Sequence, residues 1–161
     1  MKFLASNYGI ILVWLGVACA ALFPGLGSAK GVGIVGRAGA GLLTEKPELF
    51  GKVLVLEILP GTQGLYGLLI GIIIMNRSGV MGAVGAPMDA IHGMQYFLAA
   101  LPIAAVGYFS AIHQAKTAAA GVGILAKHPD RNGNAITLAA IVEMYAILAF
   151  LVSLLVVINI K

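Results

Sequence analysis

Four apolar runs, each at least as long as a bilayer is thick, take up most of this chain and leave it few ways to fold. A helix needs roughly 20 apolar residues to cross the hydrocarbon layer. The runs at about 7–43, 49–75, 90–126 and 135–160 all reach that length. Soluble domains carry about 25% charged residues, whereas this chain has 10% charged and 60% hydrophobic residues in a length of 161. A core that small cannot hide so much apolar surface from water. The expected fold class is all-α integral membrane, with four transmembrane helices.

Three polar breaks separate the runs: Thr44-Glu45-Lys46-Pro47-Glu48, Asn76-Arg77-Ser78-Gly79, and the stretch from Lys127 to Asn134. Each contains the Pro or Gly that ends a helix. The Gly- and Met-rich segment 79–89 reads as an external turn. Met1-Lys2 before an apolar stretch can mimic a signal peptide. The run continues past Cys19 to Leu43 with no small-x-small stop, so the N-terminus is read as part of the mature first helix. A single cysteine excludes an intrachain disulfide. The net charge of +4 comes from basic residues scattered between apolar runs, with no patch for nucleic acid.

Lys and Arg placement sets an orientation. Lys30, Arg37, Lys46, Lys52, Lys116, Lys127 and Arg131 lie toward the first and third breaks, against Lys2, Arg77 and Lys161 on the other side. The positive-inside bias then puts loops 44–48 and 127–134 in the cytoplasm and both termini outside.

The chain also reads as one hairpin written twice, at 1–80 and 81–161. A slide of 82 residues lays Pro47 on Pro129 and Gly67 on Ala149, and a further four upstream of each proline lays Ala29-Lys30 on Ala115-Lys116. Gly61 falls over Glu143, so only the second hairpin carries an intramembrane carboxylate. Small residues line helices one and three: Gly27, Gly31, Gly33, Gly36, Gly39 and Gly41, then Gly107, Ala111, Ala115, Ala119 and Gly123. Such stripes let backbones approach closely, within a chain or between copies. The run Gly25-Leu26-Gly27-Ser28-Ala29-Lys30-Gly31 is not a phosphate loop, since Ala29 replaces the glycine before the lysine and Gly31 the hydroxyl after it.

Glu143 is the residue that points to function. An acid at the centre of a span costs roughly 2.5–3.5 kcal/mol on insertion scales and needs a reason to be there. It could pair with Lys30 or Lys116, or it could bind a cation or proton. Its surroundings favour the second. Pro60 cannot donate a backbone hydrogen bond and displaces the carbonyl four residues earlier. Gly61 and Gly64 loosen the same turn, while Thr62, Gln63 and Tyr66 add side-chain oxygens. Gln63, Gln114 and Glu143 lie at similar distances from their polar breaks, which at about 1.5 Å per residue gives them one depth. Oxygens around one carboxylate suit a hard cation. Arg37 and Glu57 flank Pro47 at ten residues on either side; a structural ion pair is the expected reading, with an ion-entry role for Glu57 as the alternative. His92, His113 and His128 show no metal spacing.

These residues resemble a known family, the proteolipid subunit (c or K) of V-type and archaeal-type rotary ATPases, in its sodium-type form. The likeness covers nearly the whole chain and is carried by Gly27-Ser28-Ala29-Lys30-Gly31, Leu59-Pro60-Gly61-Thr62-Gln63-Gly64-Leu65-Tyr66, Gln114-Ala115-Lys116 and Val142-Glu143-Met144-Tyr145-Ala146-Ile147-Leu148. It implies a Na⁺ site made of Glu143, Gln63, Gln114, Thr62 and the Leu59 carbonyl, closed by Tyr66, with Met144 standing where a sodium-type member carries threonine. It further implies a ring of identical copies in a cell membrane, surrounded by lipid. The ring would turn against a stator subunit bearing an essential arginine, with a central-stalk subunit at the cytoplasmic loops. ATP chemistry would lie on other subunits, so the chain is expected to be no enzyme by itself.

Three other readings remain. The same ring could carry H⁺, for which the glutamate alone suffices. A small multidrug-type exporter would want aromatic residues near the carboxylate, and the one Trp is Trp14. A structural four-span scaffold leaves the Gln-Thr-Glu group unexplained.

Overall fold

The computed structural model describes residues 2–82 and 88–160. Among the described residues five α-helices follow one another: α1 Lys2–Leu43, α2 Phe50–Ile58, α3 Thr62–Arg77, α4 Ala90–Lys127 and α5 Asn132–Asn159. Short 3₁₀ turns at Pro47–Leu49, Leu59–Gly61 and Pro129–Arg131 each contain a proline. Two of them start a span, where a missing N–H is harmless. The third joins α2 to α3 inside one span. Among the described residues four continuous segments are long and apolar enough to cross a membrane: Asn7–Leu43, Pro47–Arg77, Ala90–Lys127 and Pro129–Asn159.

The expected spans are close to these, with two differences. The fourth begins at Pro129 rather than near 135, because Pro129 starts a 3₁₀ turn that leads directly into α5 and leaves Gly133 and Asn134 exposed in its first turn. The second is not one helix but two, divided at Pro60. The expected external turn at 79–89 falls partly on residues 83–87, which lie outside the described residues. Before them, Gly79 adopts a φ of +72°, a left-handed conformation suited to glycine as α3 ends.

The backbone pairing is dictated by small residues. Helix α1 packs most extensively on α4, and α4 next on α5. A Cβ on Gly27 would meet the Tyr108 carbonyl oxygen at 2.7 Å, and one on Gly93 would collide with the carbonyl oxygen of Gly9. No side chain fits between these helices at those points. Much of the small-residue stripe is thus spent inside the chain, with Ala111 and Ala115 fully buried. Gly41 and Gly123 have no neighbour of this kind within 4 Å.

Two apolar clusters fill the interior. One, toward the 44–48 and 127–134 loops, contains Val35, Val53, Leu56, Ala118, Leu125 and Ala139. The other, toward the opposite end, contains Val13, Ile70, Ile74, Ala100, Ile103 and Val157. Between them lie the buried amides of Gln63 and Gln114. Cations bond backbone carbonyls at both ends, and for Lys46 and Arg77 these carbonyls lie in the last turn of a helix, where the dipole favours positive charge. Lys46 Nζ donates to Ala126 O at 2.6 Å, Lys52 Nζ to Pro129 O at 2.8 Å, and Arg77 Nη2 to Ile158 O at 2.7 Å.

Candidate functional site

The break in the second span builds the site. Pro60 has no N–H to donate, so the chain tightens into the Leu59–Gly61 turn before α3 starts at Thr62. Proline itself is buried and packs on α1, where a Cβ on Gly31 would lie 2.9 Å from Pro60 Cβ. Thr62 therefore occupies the first turn of a new helix, with its hydroxyl 2.9 Å from Leu59 O and 2.7 Å from Glu143 Oε1. One hydroxyl proton can serve only one of these oxygens at a time. The backbone N–H of Gly64, four residues beyond Pro60, donates to Ser28 Oγ on α1 at 2.9 Å.

One turn beyond Thr62, the Tyr66 hydroxyl also donates to Glu143 Oε1, at 2.6 Å. Its ring is held by Phe150, with centroids 5.6 Å apart. The other carboxylate oxygen has a weaker partner: Gln114 Nε2 approaches Oε2 at 3.3 Å. Gln114 Oε1 in turn accepts from Gln63 Nε2 at 2.5 Å. Gln63 and Gln114 are both fully buried, whereas Thr62, Tyr66 and Glu143 are half-buried. Gln63 Oε1 is buried with no hydrogen-bond partner among the described residues. Such an orphan acceptor is expensive, at about 1–3 kcal/mol.

The six groups expected together do converge. Thr62, Tyr66 and Gln114 touch Glu143 directly, Leu59 O is reached through Thr62, and Gln63 through Gln114. One expectation, the Arg37–Glu57 ion pair, is overturned, and the alternative pairing of Glu143 with a lysine is not observed. Lys30 and Lys116 do not pair with Glu143; both are exposed, and the one ion pair among the described residues is Asp130–Arg131 at 3.5 Å. Arg37 and Glu57 likewise form no ion pair, because the exposed Arg37 guanidinium turns back toward Gly33 while the Glu57 carboxylate lies against Gly36. Met144 is 58% exposed and bonds to none of these groups.

Two residues support the site without being expected in it from the sequence. Ser28 completes the hydrogen bonding of the broken turn, and Ser110 Oγ donates to Val142 O at 3.2 Å, tying α4 to α5 one residue before Glu143. A signal exists for the first: the internal step that lays Lys30 on Lys116 also lays Ser28 on Gln114. Among the described residues, no group of three or more His, Cys, Asp and Glu could hold a metal ion. The cluster offers one carboxylate, amide and carbonyl oxygens, and two hydroxyls, a donor set for hard cations.

The family model for the C subunit of ATP synthase matches twice, over residues 15–74 and 97–156. This chain belongs to that family. The two matches start 82 residues apart, the same offset that superposes the halves of the sequence, so family membership carries the internal duplication with it. The chain is 47% identical over 156 residues to "V-type sodium ATPase subunit K" of Enterococcus hirae, covering 97% of this chain and 96% of that protein. It is 34% identical over 151 residues to "A-type ATP synthase subunit K" of Methanocaldococcus jannaschii, covering 94% of this chain and 64% of that one. The resemblance to c/K proteolipids therefore holds over essentially the full length. With four segments among the described residues long and apolar enough to cross a membrane, this family member is a multi-pass membrane protein.

Proposed function

We propose that the chain is one subunit of a rotor ring that binds Na⁺ at Glu143 and carries it across the membrane as the ring turns. The observation that carries this reading is the surplus of oxygens over donors in the cluster around Glu143. Thr62 has one proton for two oxygens, Gln114 reaches Oε2 only at 3.3 Å, and Gln63 Oε1 has no partner among the described residues. A cation would give these oxygens the positive partner they lack. The ligands would be Glu143, Gln63, Gln114, Thr62 and the Leu59 carbonyl, with Tyr66 holding the carboxylate from outside the shell. A bound ion also cancels the charge that makes a carboxylate costly beside lipid. The sodium ATPase named for the Enterococcus hirae relative supports Na⁺ over H⁺.

In this reading the two hairpins, 1–80 and 81–161, form one unit of the ring, and identical copies surround it. Loops 44–48 and 127–134 face the cytoplasm and seat a central-stalk subunit, while both termini lie outside. A stator subunit supplies an arginine that displaces the ion from Glu143. ATP is hydrolysed or made on other subunits, and this chain is the carrier, not the catalyst.

The test is labelling of the purified full chain with a hydrophobic carbodiimide across a range of Na⁺ concentrations, with the modified residue mapped by mass spectrometry. Slower labelling of Glu143 as Na⁺ rises is the expected result. Labelling indifferent to Na⁺ would move the assignment to H⁺, and a Glu143 that never reacts would remove the site.

A further inference from the structure

A second carboxylate lies in the same span, and the ion shell does not use it. Glu57 sits five residues before Thr62, which at about 1.5 Å per residue places it roughly 7–8 Å nearer the 44–48 loop. It is half-buried and makes no ion pair and no hydrogen bond among the described residues. Its position is accommodated by α1: a Cβ on Gly36 would come within 2.7 Å of Glu57 Oε1. The neighbouring cation, Arg37, turns its guanidinium away toward Gly33. Glu57 opens into a groove of about 420 Å³ walled by Leu54, Ile58 and Leu65, and Thr62 lines that same groove. The same groove is thus lined by an unpaired acid and by the threonine proposed as an ion ligand.

We infer that Glu57 is a staging site for a monovalent cation on the loop side of Glu143, a waypoint from which the ion moves along this groove to Thr62. The inference rests on the ion-binding reading of Glu143. An ionisable group without a partner inside a span marks a pathway more often than a scaffold. A single carboxylate with apolar walls attracts a cation but offers too few oxygens to retain it. That combination suits a transfer site, where binding must be weak enough for the ion to leave. It acts on the rate of delivery and much less on the final affinity, because attraction at an entrance raises local ion concentration without changing the shell at Glu143.

The test compares wild-type chain, Glu57→Gln and Glu57→Asp, each full length and purified in its native oligomeric form. Two quantities are read: the Na⁺ concentration that half-protects Glu143 from carbodiimide, and the rate at which radioactive Na⁺ exchanges at the site. Glu57→Gln should slow exchange about tenfold while the half-protecting concentration stays within about twofold, and Glu57→Asp should restore most of the rate. Exchange at the wild-type rate in Glu57→Gln overturns the inference. So does an equal loss of affinity, which would make Glu57 part of the equilibrium shell, and so does loss of the native oligomer, which would assign Glu57 to a contact between copies. Wild-type chain that Na⁺ fails to protect overturns the ion-binding reading itself, and the staging role with it.

Discussion

Tyr66 and Glu143 are 77 residues apart in the chain, yet the phenol hydroxyl donates to Glu143 Oε1 at 2.6 Å. Thr62 donates to the same oxygen at 2.7 Å, so both hydroxyls of the second span converge on one side of the carboxylate. Hydrogen bonds to a charged acceptor contribute about 1.5–3 kcal/mol. The half-exposed setting argues for the low end. Tyr66→Phe is therefore expected to raise the half-protecting Na⁺ concentration at Glu143 roughly tenfold, while thermal unfolding in detergent changes little. Unchanged protection would show that the phenol does not hold the carboxylate.

Pro60→Ala should separate stability from binding. Alanine restores the missing donor and favours a continuous helix, where proline costs up to about 3 kcal/mol. The thermal midpoint is expected to hold or rise. Sodium protection of Glu143 is expected to weaken several-fold, since Thr62 and Leu59 O depend on the tightened turn. A variant that binds Na⁺ as well as wild type would show that the break is dispensable.

Ser28→Ala removes the acceptor for Gly64 N–H. Leaving that donor unpaired costs about 1 kcal/mol or more. The expected outcome is a lower unfolding midpoint, with faster hydrogen exchange confined to the first turn of α3. Exchange spread evenly over the chain would contradict a local role.

Gly67→Ala drives a methyl into the Ala20 carbonyl oxygen and to 2.7 Å from Pro24 Cγ, so backbone must move to admit it. Overpacking of this kind costs typically about 1–3 kcal/mol. Gly51→Ala meets nothing within 4 Å and gains helix propensity of up to about 1 kcal/mol. Midpoints of the two variants in one detergent should move in opposite directions. A tolerated Gly67→Ala would mean that α1 and α3 are packed more loosely than described.

The sequence makes some features legible and hides others, for physical reasons. Span number and approximate limits follow from apolar length alone, because lipid imposes one requirement on every segment. The depth of Gln63, Gln114 and Glu143 can be counted from the loops, since a helix advances by a fixed rise. Distance around the helix is less forgiving. Arg37 and Glu57 match in depth, but depth counting does not fix which way two long side chains turn, and they turn apart. Lys30 and Lys116 share the depth of Glu143 and still miss it, because their side chains leave by an exposed face. The dominance of the α1–α4 pairing over sequential hairpin contacts is also hidden. It depends on glycines meeting carbonyls across helices, which a periodicity cannot specify.

Those glycine contacts have a mechanical consequence. Where Gly27 meets Tyr108 and Gly93 meets Gly9, backbone rests on backbone, and no rotamer is available to absorb a sideways load. The pair α1–α4 therefore behaves as a stiff spar along those contacts. The second span has the opposite character at Pro60, where a helix is interrupted and its hydrogen bonding is completed from outside by Ser28. Elastic give is expected at that joint, beside the carboxylate, where the helical hydrogen bonding is interrupted. A load applied to this protein would flex the site before it bent the frame that supports it.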